Sequence, residues 1–299
     1  MLTLAEFLAM PTAEVAQVVR AAGPQVCVFP INGTRRWFML EHAHSAGSDQ
    51  VEAYMDISSA NHIGLYRLLF EHGVETILAP MFGQDILLRG EEYMRQIGAN
   101  GLERLCAGAD FLKFYDEQDV RVRFYGDYRK AMQNTPYAYL SDVFDEIAGK
   151  TSGHRRYRLF YGVFAADATE TIAELSVQHY REFNAIPDRR RLVELYYGEY
   201  IEPVSFFIGF DKFSTFDYPL LASGNEDLYF TLAPSPYLSE GLLRAILYDH
   251  LILRQIPEPD YAALAAEDLD WIKTFYRKNR ARASGVGIIR GGLWFPIFE

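Results

Sequence analysis

Cysteine is scarce in this chain: its 299 residues carry two, Cys27 and Cys106. Two cysteines build no disulfide framework, and Cys27 falls inside an apolar run, so the chain reads as belonging to a reducing, cytoplasmic compartment. Long hydrophobic runs are missing too. No segment approaches the roughly 18 apolar residues of a membrane span. The opening MLTLAEFLAMPTAEVAQVV carries Glu6 and Glu14 and lacks a basic leader, which suits an amphipathic helix rather than a signal peptide. Cations are the minority charge, 29 Lys and Arg against 40 Asp and Glu, for a net charge of −11. A nucleic-acid surface needs a basic face from which counterions are released, so that class is excluded. Any anionic ligand must be caught by a local cluster working against the overall field. There is neither an internal repeat nor a low-complexity segment.

Aromatic residues, by contrast, are plentiful, with 20 Tyr and 21 Phe. They suit a packed core, and equally the walls of a site for a large apolar ligand. Six short apolar runs read as strands: Val26–Ile31, Val74–Phe82, Val120–Tyr125, Tyr157–Phe164, Ser205–Phe210 and Asp227–Leu232. Most are near-continuous, as strands covered on both faces are. Helical patterns fill the gaps, among them Val51–His72, Gly90–Cys106 and Leu238–Leu253. Connections of that length imply right-handed crossovers. The expected fold is a single α/β domain over residues 1–299, with a mainly parallel six-stranded sheet surrounded by helices.

Ligands of such sheets sit at the C-terminal ends of the strands. After the first strand come Asn32, Gly33, Thr34, Arg35 and Arg36; after the third, Gly126, Asp127, Tyr128, Arg129 and Lys130; after the fifth, Asp211, Lys212, Phe213, Ser214 and Thr215. A glycine turn lets backbone N–H groups approach an anion, and arginine offers a bidentate fork to phosphate. The three clusters are expected to converge on a diphosphate.

The motifs carrying these residues resemble one family. PINGTRRWF stands where the Z-prenyltransferases (cis-prenyltransferases) have an Asp-Gly-x-x-Arg-Trp phosphate loop. VRFYGDYRK, FIGFDKFSTFDYPLL and EDLYFTLAPSPYLSEGLLRAIL resemble further segments of the superfamily, while LLFEHGVETILAPMF and YYGEY resemble its tuberculosinol/isotuberculosinol synthase branch. The resemblance covers the whole chain. It implies a Z-prenyltransferase-like fold, a homodimer, an apolar tunnel entered at the phosphate loop, and Mg²⁺ assisting diphosphate departure. For the branch it implies a diterpene synthase that ionises a bicyclic diterpenyl diphosphate (of the halimadienyl or kolavenyl kind) and quenches the allylic cation with water. Condensation with isopentenyl diphosphate, transfer of the diterpenyl group to a nucleoside, and a non-catalytic prenyl-diphosphate-binding subunit are the alternatives.

Residue by residue, the resemblance assigns Gly33, Thr34, Arg35 and Arg36 to the diphosphate cradle, with Lys212 and Ser214 joining from the fifth strand's loop. Arg36 and Tyr54 are assigned to catalysis, and Asp227 to the metal. Position 32 departs from the pattern: it is Asn where the family has a catalytic Asp, and Asn carries no charge and cannot act as a base. Either the chain manages without that carboxylate, or Asn32 replaces a natural aspartate. His42 and His44 have metal-ligand spacing but no convincing third ligand, and read as a solvated loop. Asp127 is as suited to capping the following helix as to touching ligand. Asp142–Glu146 superficially resembles the DDxxD motif of helical terpene synthases, which the α/β pattern rules out. Lys130, Arg155 and Arg156 read as solvated.

Overall fold

In the computed structural model, residues 2–44, 49–83, 90–91, 95 and 100–297 are described. Six strands form one all-parallel sheet in the order β3-β4-β2-β1-β5-β6. They are β1 (Val26–Val28), β2 (Thr76–Phe82), β3 (Val120–Tyr125), β4 (Tyr157–Val163), β5 (Phe206–Phe210) and β6 (Asp227–Thr231). The apolar runs became strands because both sheet faces are covered. Alternate residues feed two cores: Cys27, Phe29, Ile77 and Ala79 pack on one side, Val26, Val28 and Leu78 on the other. Cys27 and Cys106 are free thiols inside the first core.

Each expected strand is present, shortened by up to three residues at its ends. The first run stops pairing at Pro30, which has no N–H to offer. Of the helical patterns, Val51–His72 corresponds to the helix Gln50–Glu71. The run Leu238–Leu253 resolves into the helix Glu240–Tyr248 and a π-helical turn, Asp249–Leu253. Of Gly90–Cys106, much lies outside the described residues, and residues 100–106 fall in the helix Asn100–Ala107. No helix among the described residues is long and apolar enough to cross a membrane.

One element was not anticipated. β7 (Gly287–Arg290) and β8 (Leu293–Pro296) form an antiparallel hairpin about Gly291 and Gly292. It leans on the loop after β5, where Trp294 meets Phe213 edge-on at 6.4 Å. Before it, the helix Ala266–Asn279 buries none of its residues, and Trp271 and Tyr276 are each 66% exposed.

Because β1 and β5 are neighbours, the loops after them meet. β3 is separated from β1 by β4 and β2. Strand order therefore decides which cations converge.

Candidate active site

The candidate phosphate loop follows β1 and is pinned at Asn32. The Asn32 amide donates to Ser235 Oγ at 3.0 Å, and the Ser235 amide donates back to the Asn32 carbonyl at 3.0 Å. Gly33 has φ +78°, and a Cβ there would lie 2.7 Å from the Phe210 ring and 2.9 Å from Pro234. Only glycine fits that left-handed, hemmed-in position. The helix Thr34–Glu41 starts directly after it, so the first amides point at the loop's mouth and favour an anion. The Thr34 and Tyr54 hydroxyls share a hydrogen bond of 2.9 Å, and the Tyr54 ring stands edge-on to Phe38. Arg36 reaches β5: its guanidinium lies 3.2 Å from Asp211 Oδ2 and 5.2 Å from the Phe210 ring centroid.

The loop opens on a cavity of about 600 Å³. Asn32, Gly33, Thr34, Arg35 and Tyr54 line its mouth end, with Met55, Met81, Phe82 and Leu105 among its apolar walls. Thus Asn32, Gly33, Thr34, Arg35 and Tyr54 are brought together, and Arg36 stands behind them against Asp211. Lys212 and Ser214 are solvent-exposed on the loop after β5 and line no part of the cavity.

Three expectations need correction. The cluster after β3 does not converge on this site. There Arg129 pairs with Asp145 at 2.5 Å and Lys130 with Glu170 at 3.3 Å, far along the sheet from β1. Asp127 makes no cap bond; its carboxylate instead accepts from the Thr171 hydroxyl. Asp227 opens β6, and strand starts lie at the sheet edge opposite the phosphate loop. Its carboxylate is held by His250 at 2.6 Å and Arg254 at 3.0 Å, so the structure does not bring it to the site. Of the remaining residues, His42 packs on Trp37 with ring centroids 4.6 Å apart, while His44 is exposed. The Arg155 and Arg156 amides donate to Asp119, and the Arg156 guanidinium lies over Tyr157.

Sequence reasoning missed the part played by Asp211, a second acid and a stripe. Asp211 carries a left-handed φ of +75°, and its Oδ1 is buried without a hydrogen-bond partner among the described residues. Asp217, also left-handed at φ +62°, lines the cavity. No local pattern announces either. The stripe comprises Tyr54, Ser58, His62 and Tyr66, spaced by four on one helix and all facing the cavity. That spacing was readable. His62 Nδ1–H donates to the Ser58 carbonyl at 2.7 Å, and burial pushes the imidazole down from 6.5 to about 4. Tyr66, Tyr115 and Tyr161 sit close together in the core, where burial pushes all three phenols up; Tyr115 and Tyr161 share a 2.8 Å hydrogen bond.

The buried histidine makes stability depend on pH. Between about pH 6.5 and about pH 4 the unfolded chain binds a proton that folded His62 refuses, so stability falls as pH drops through that window. Urea unfolding at pH 7 and pH 5 is expected to differ by about 2 kcal/mol on this account, and His62→Gln should remove that share. An equal pH slope in parent and variant would contradict the assignment.

Among the described residues no three His, Cys, Asp or Glu side chains gather as a dedicated cage. Magnesium in phosphate sites is typically held by one or two carboxylates plus the substrate's own oxygens. The orphaned Oδ1 of Asp211, beside Arg36, fits that pattern.

The six-stranded, all-parallel sheet with its surrounding helices has the Z-prenyltransferase fold. Solved structures agree on the fold. A probable undecaprenyl diphosphate synthase from Campylobacter jejuni superposes with TM-score 0.57 at 12% identity, covering 79% of this chain and 97% of its own. Lavandulyl diphosphate synthase from Lavandula x intermedia, solved with dimethylallyl diphosphate, gives 0.55 at 15%, covering 78% and 97%. Tuberculosinyl adenosine transferase from Mycobacterium tuberculosis is 44% identical over 292 residues, 97% of each chain. (+)-Kolavelool synthase from Herpetosiphon aurantiacus is 27% identical over 301 aligned positions, 98% of this chain and 95% of its own. No family model matches. The chain belongs to the tuberculosinol synthase-like branch of the Z-prenyltransferase superfamily, a family of prenyltransferase and terpene-synthase enzymes.

Proposed function

We propose that the chain ionises a bicyclic diterpenyl diphosphate and passes the allylic cation to the amine of a nucleoside. The observation that carries the ionisation is the junction of loop and cavity: anion donors at one end, an apolar chamber at the other. The acceptor is inferred from the 44% likeness to tuberculosinyl adenosine transferase. Capture by water, giving a diterpene alcohol and diphosphate, is the second reading, supported by the likeness to (+)-kolavelool synthase. Against chain elongation, Gly209 stands where the superfamily's first C-terminal arginine would be. A Cβ at Gly209 would lie 2.6 Å from the Phe207 ring, so no side chain fits there.

The diphosphate would rest on the amides of Gly33 and Thr34 and on Arg35 and Arg36, with Lys212 and Ser214 approaching from solvent. Arg36 keeps donors beyond the one given to Asp211, since a guanidinium has five. As the C–O bond breaks, its electron pair goes to the diphosphate, and fixed donors stabilise that charge without reorganising. Magnesium, held by Asp211, would add neutralising charge at the same oxygens. The apolar walls would shield the cation from bulk water. Asn32 would hold a ligand by hydrogen bond and leaves proton removal to another group.

Tyr54, tied to Thr34, would set the loop's geometry at the reacting end. Tyr54→Phe is expected to cut turnover about tenfold while leaving diphosphate affinity within roughly threefold. A variant as fast as the parent would return Tyr54 to packing. A homodimer is also proposed, the exposed apolar residues of Ala266–Asn279 and the hairpin being the surface a second copy would cover. Light scattering at micromolar concentration would settle it, and a monomer would refute it. For the function itself, the purified chain should convert tuberculosinyl diphosphate and adenosine to a diterpenyl nucleoside, read by mass spectrometry. Alcohol alone would favour the second reading.

A further inference from the structure

The stripe on the Gln50–Glu71 helix raises a question that the diphosphate end does not answer. Ser58 and His62 lie one and two turns inward from Tyr54, roughly 6 and 12 Å along the axis, in a cavity whose lining includes the apolar Met55, Met81, Phe82 and Leu105 as well as Tyr66 and Asp217. Both are buried, at 3% and 6% exposure. Ser58 Oγ has no hydrogen-bond partner among the described residues. The histidine's tautomer is fixed by geometry, because Nδ1 faces a carbonyl at 2.7 Å and must carry the proton. Its Nε2 is then a bare lone pair, with no partner among the described residues. A core histidine is normally satisfied on both sides, and a hydrocarbon chamber needs neither group. Leaving Ser58 Oγ buried and unpartnered costs free energy that Ala would avoid.

We infer that Ser58 and His62 form the subsite that holds the nucleophile, with His62 Nε2 as the base that takes its proton. This rests on the ionisation proposed above. The C–O bond to diphosphate breaks with its electron pair leaving on oxygen. The lone pair of an amine N or hydroxyl O on the acceptor forms the new bond to carbon. The proton then borne by that N or O passes to Nε2, giving an imidazolium that later returns it to solvent. The adduct of a cation with a neutral nucleophile is a strong acid, so an imidazole held neutral by burial is base enough. His62 thereby supplies what Asn32 cannot.

The test uses the purified full chain with tuberculosinyl diphosphate, magnesium and adenosine. Diphosphate release is counted against captured product (nucleoside adduct plus alcohol) and against diene. Without the base, the cation is expected to lose a carbon-bound proton to diphosphate and leave as diene. Per diphosphate released, captured product should fall at least tenfold in His62→Ala and recover with added imidazole. It should fall similarly in His62→Gln, which accepts a hydrogen bond but takes no proton, and about threefold in Ser58→Ala. If His62→Ala fails to fold, His62→Gln decides. Capture equal to the parent in His62→Gln would overturn the inference. A parent that releases no diphosphate from this substrate would instead remove the proposed function, and this inference with it.

Discussion

Arg36→Ala is expected to slow diphosphate release about 100-fold or more, a loss of some 3 kcal/mol of transition-state stabilisation. The argument is geometric. Arg36 leaves the first turn of the helix that starts at the phosphate loop, and it is held against β5 by Asp211 and Phe210 rather than waving in solvent. Its remaining donors are therefore aimed before substrate arrives, which is what makes such a donor worth more in the transition state than in water. Removing it also leaves Asp211, whose second oxygen already lacks a partner among the described residues, as a half-buried, unpaired negative charge beside an incoming anion. Arg36→Lys should fall between, since an ammonium keeps the charge but not the planar fork. Initial rates of diphosphate release with saturating substrate provide the check. Turnover of Arg36→Ala within threefold of the parent would contradict the role.

Gly33→Ala carries the second large effect. The residue sits at φ +78°, where an L side chain is strained, and the added carbon would press into Phe210 at 2.7 Å and Pro234 at 2.9 Å. Neither neighbour is a flexible tip. Phe210 ends β5 and supports Arg36, and Pro234 belongs to the turn that fastens Asn32. Relief must come from the loop backbone itself. Stability should fall by about 2 kcal/mol or more, and turnover should fall further than stability because the amide cradle is displaced. Urea unfolding and diphosphate release measured together separate the two. A variant with parental stability and rate would refute the close approach.

Much of the fold could be read from the chain. Near-continuous apolar runs separated by helical stretches of crossover length specify a parallel sheet, and all six runs became its strands. The turn at the cavity mouth was also legible, because a glycine turn between a buried strand and paired arginines is a local signal. What local pattern does not carry is strand order. The cations after β3 resemble those after β1 and β5 in sequence, yet β4 and β2 lie between, and the former satisfy Asp145 and Glu170 instead. Asp227 misled differently: a family position suggested a metal ligand, whereas its place at the start of a parallel strand puts it at the far edge. Two features were legible and overlooked. Gly291-Gly292 between IIR and LWFP is a two-residue hairpin signal, with both glycines at positive φ. The spacing of Tyr54, Ser58, His62 and Tyr66 places four polar-tipped residues on one helix face. Asp211 and Asp217 owe their positions to loop conformation, which the sequence does not spell out.

The central claim is that donors at the phosphate loop drive ionisation of a diterpenyl diphosphate whose cation is captured in the adjoining cavity. Its most direct test is a single reaction of the purified chain with tuberculosinyl diphosphate, adenosine and magnesium, followed by quantitative mass spectrometry alongside a diphosphate assay. The account predicts diphosphate release matched by diterpenyl nucleoside, with any alcohol and diene making up the balance. Intact substrate, with no diphosphate released from this or other bicyclic diterpenyl diphosphates, would contradict it.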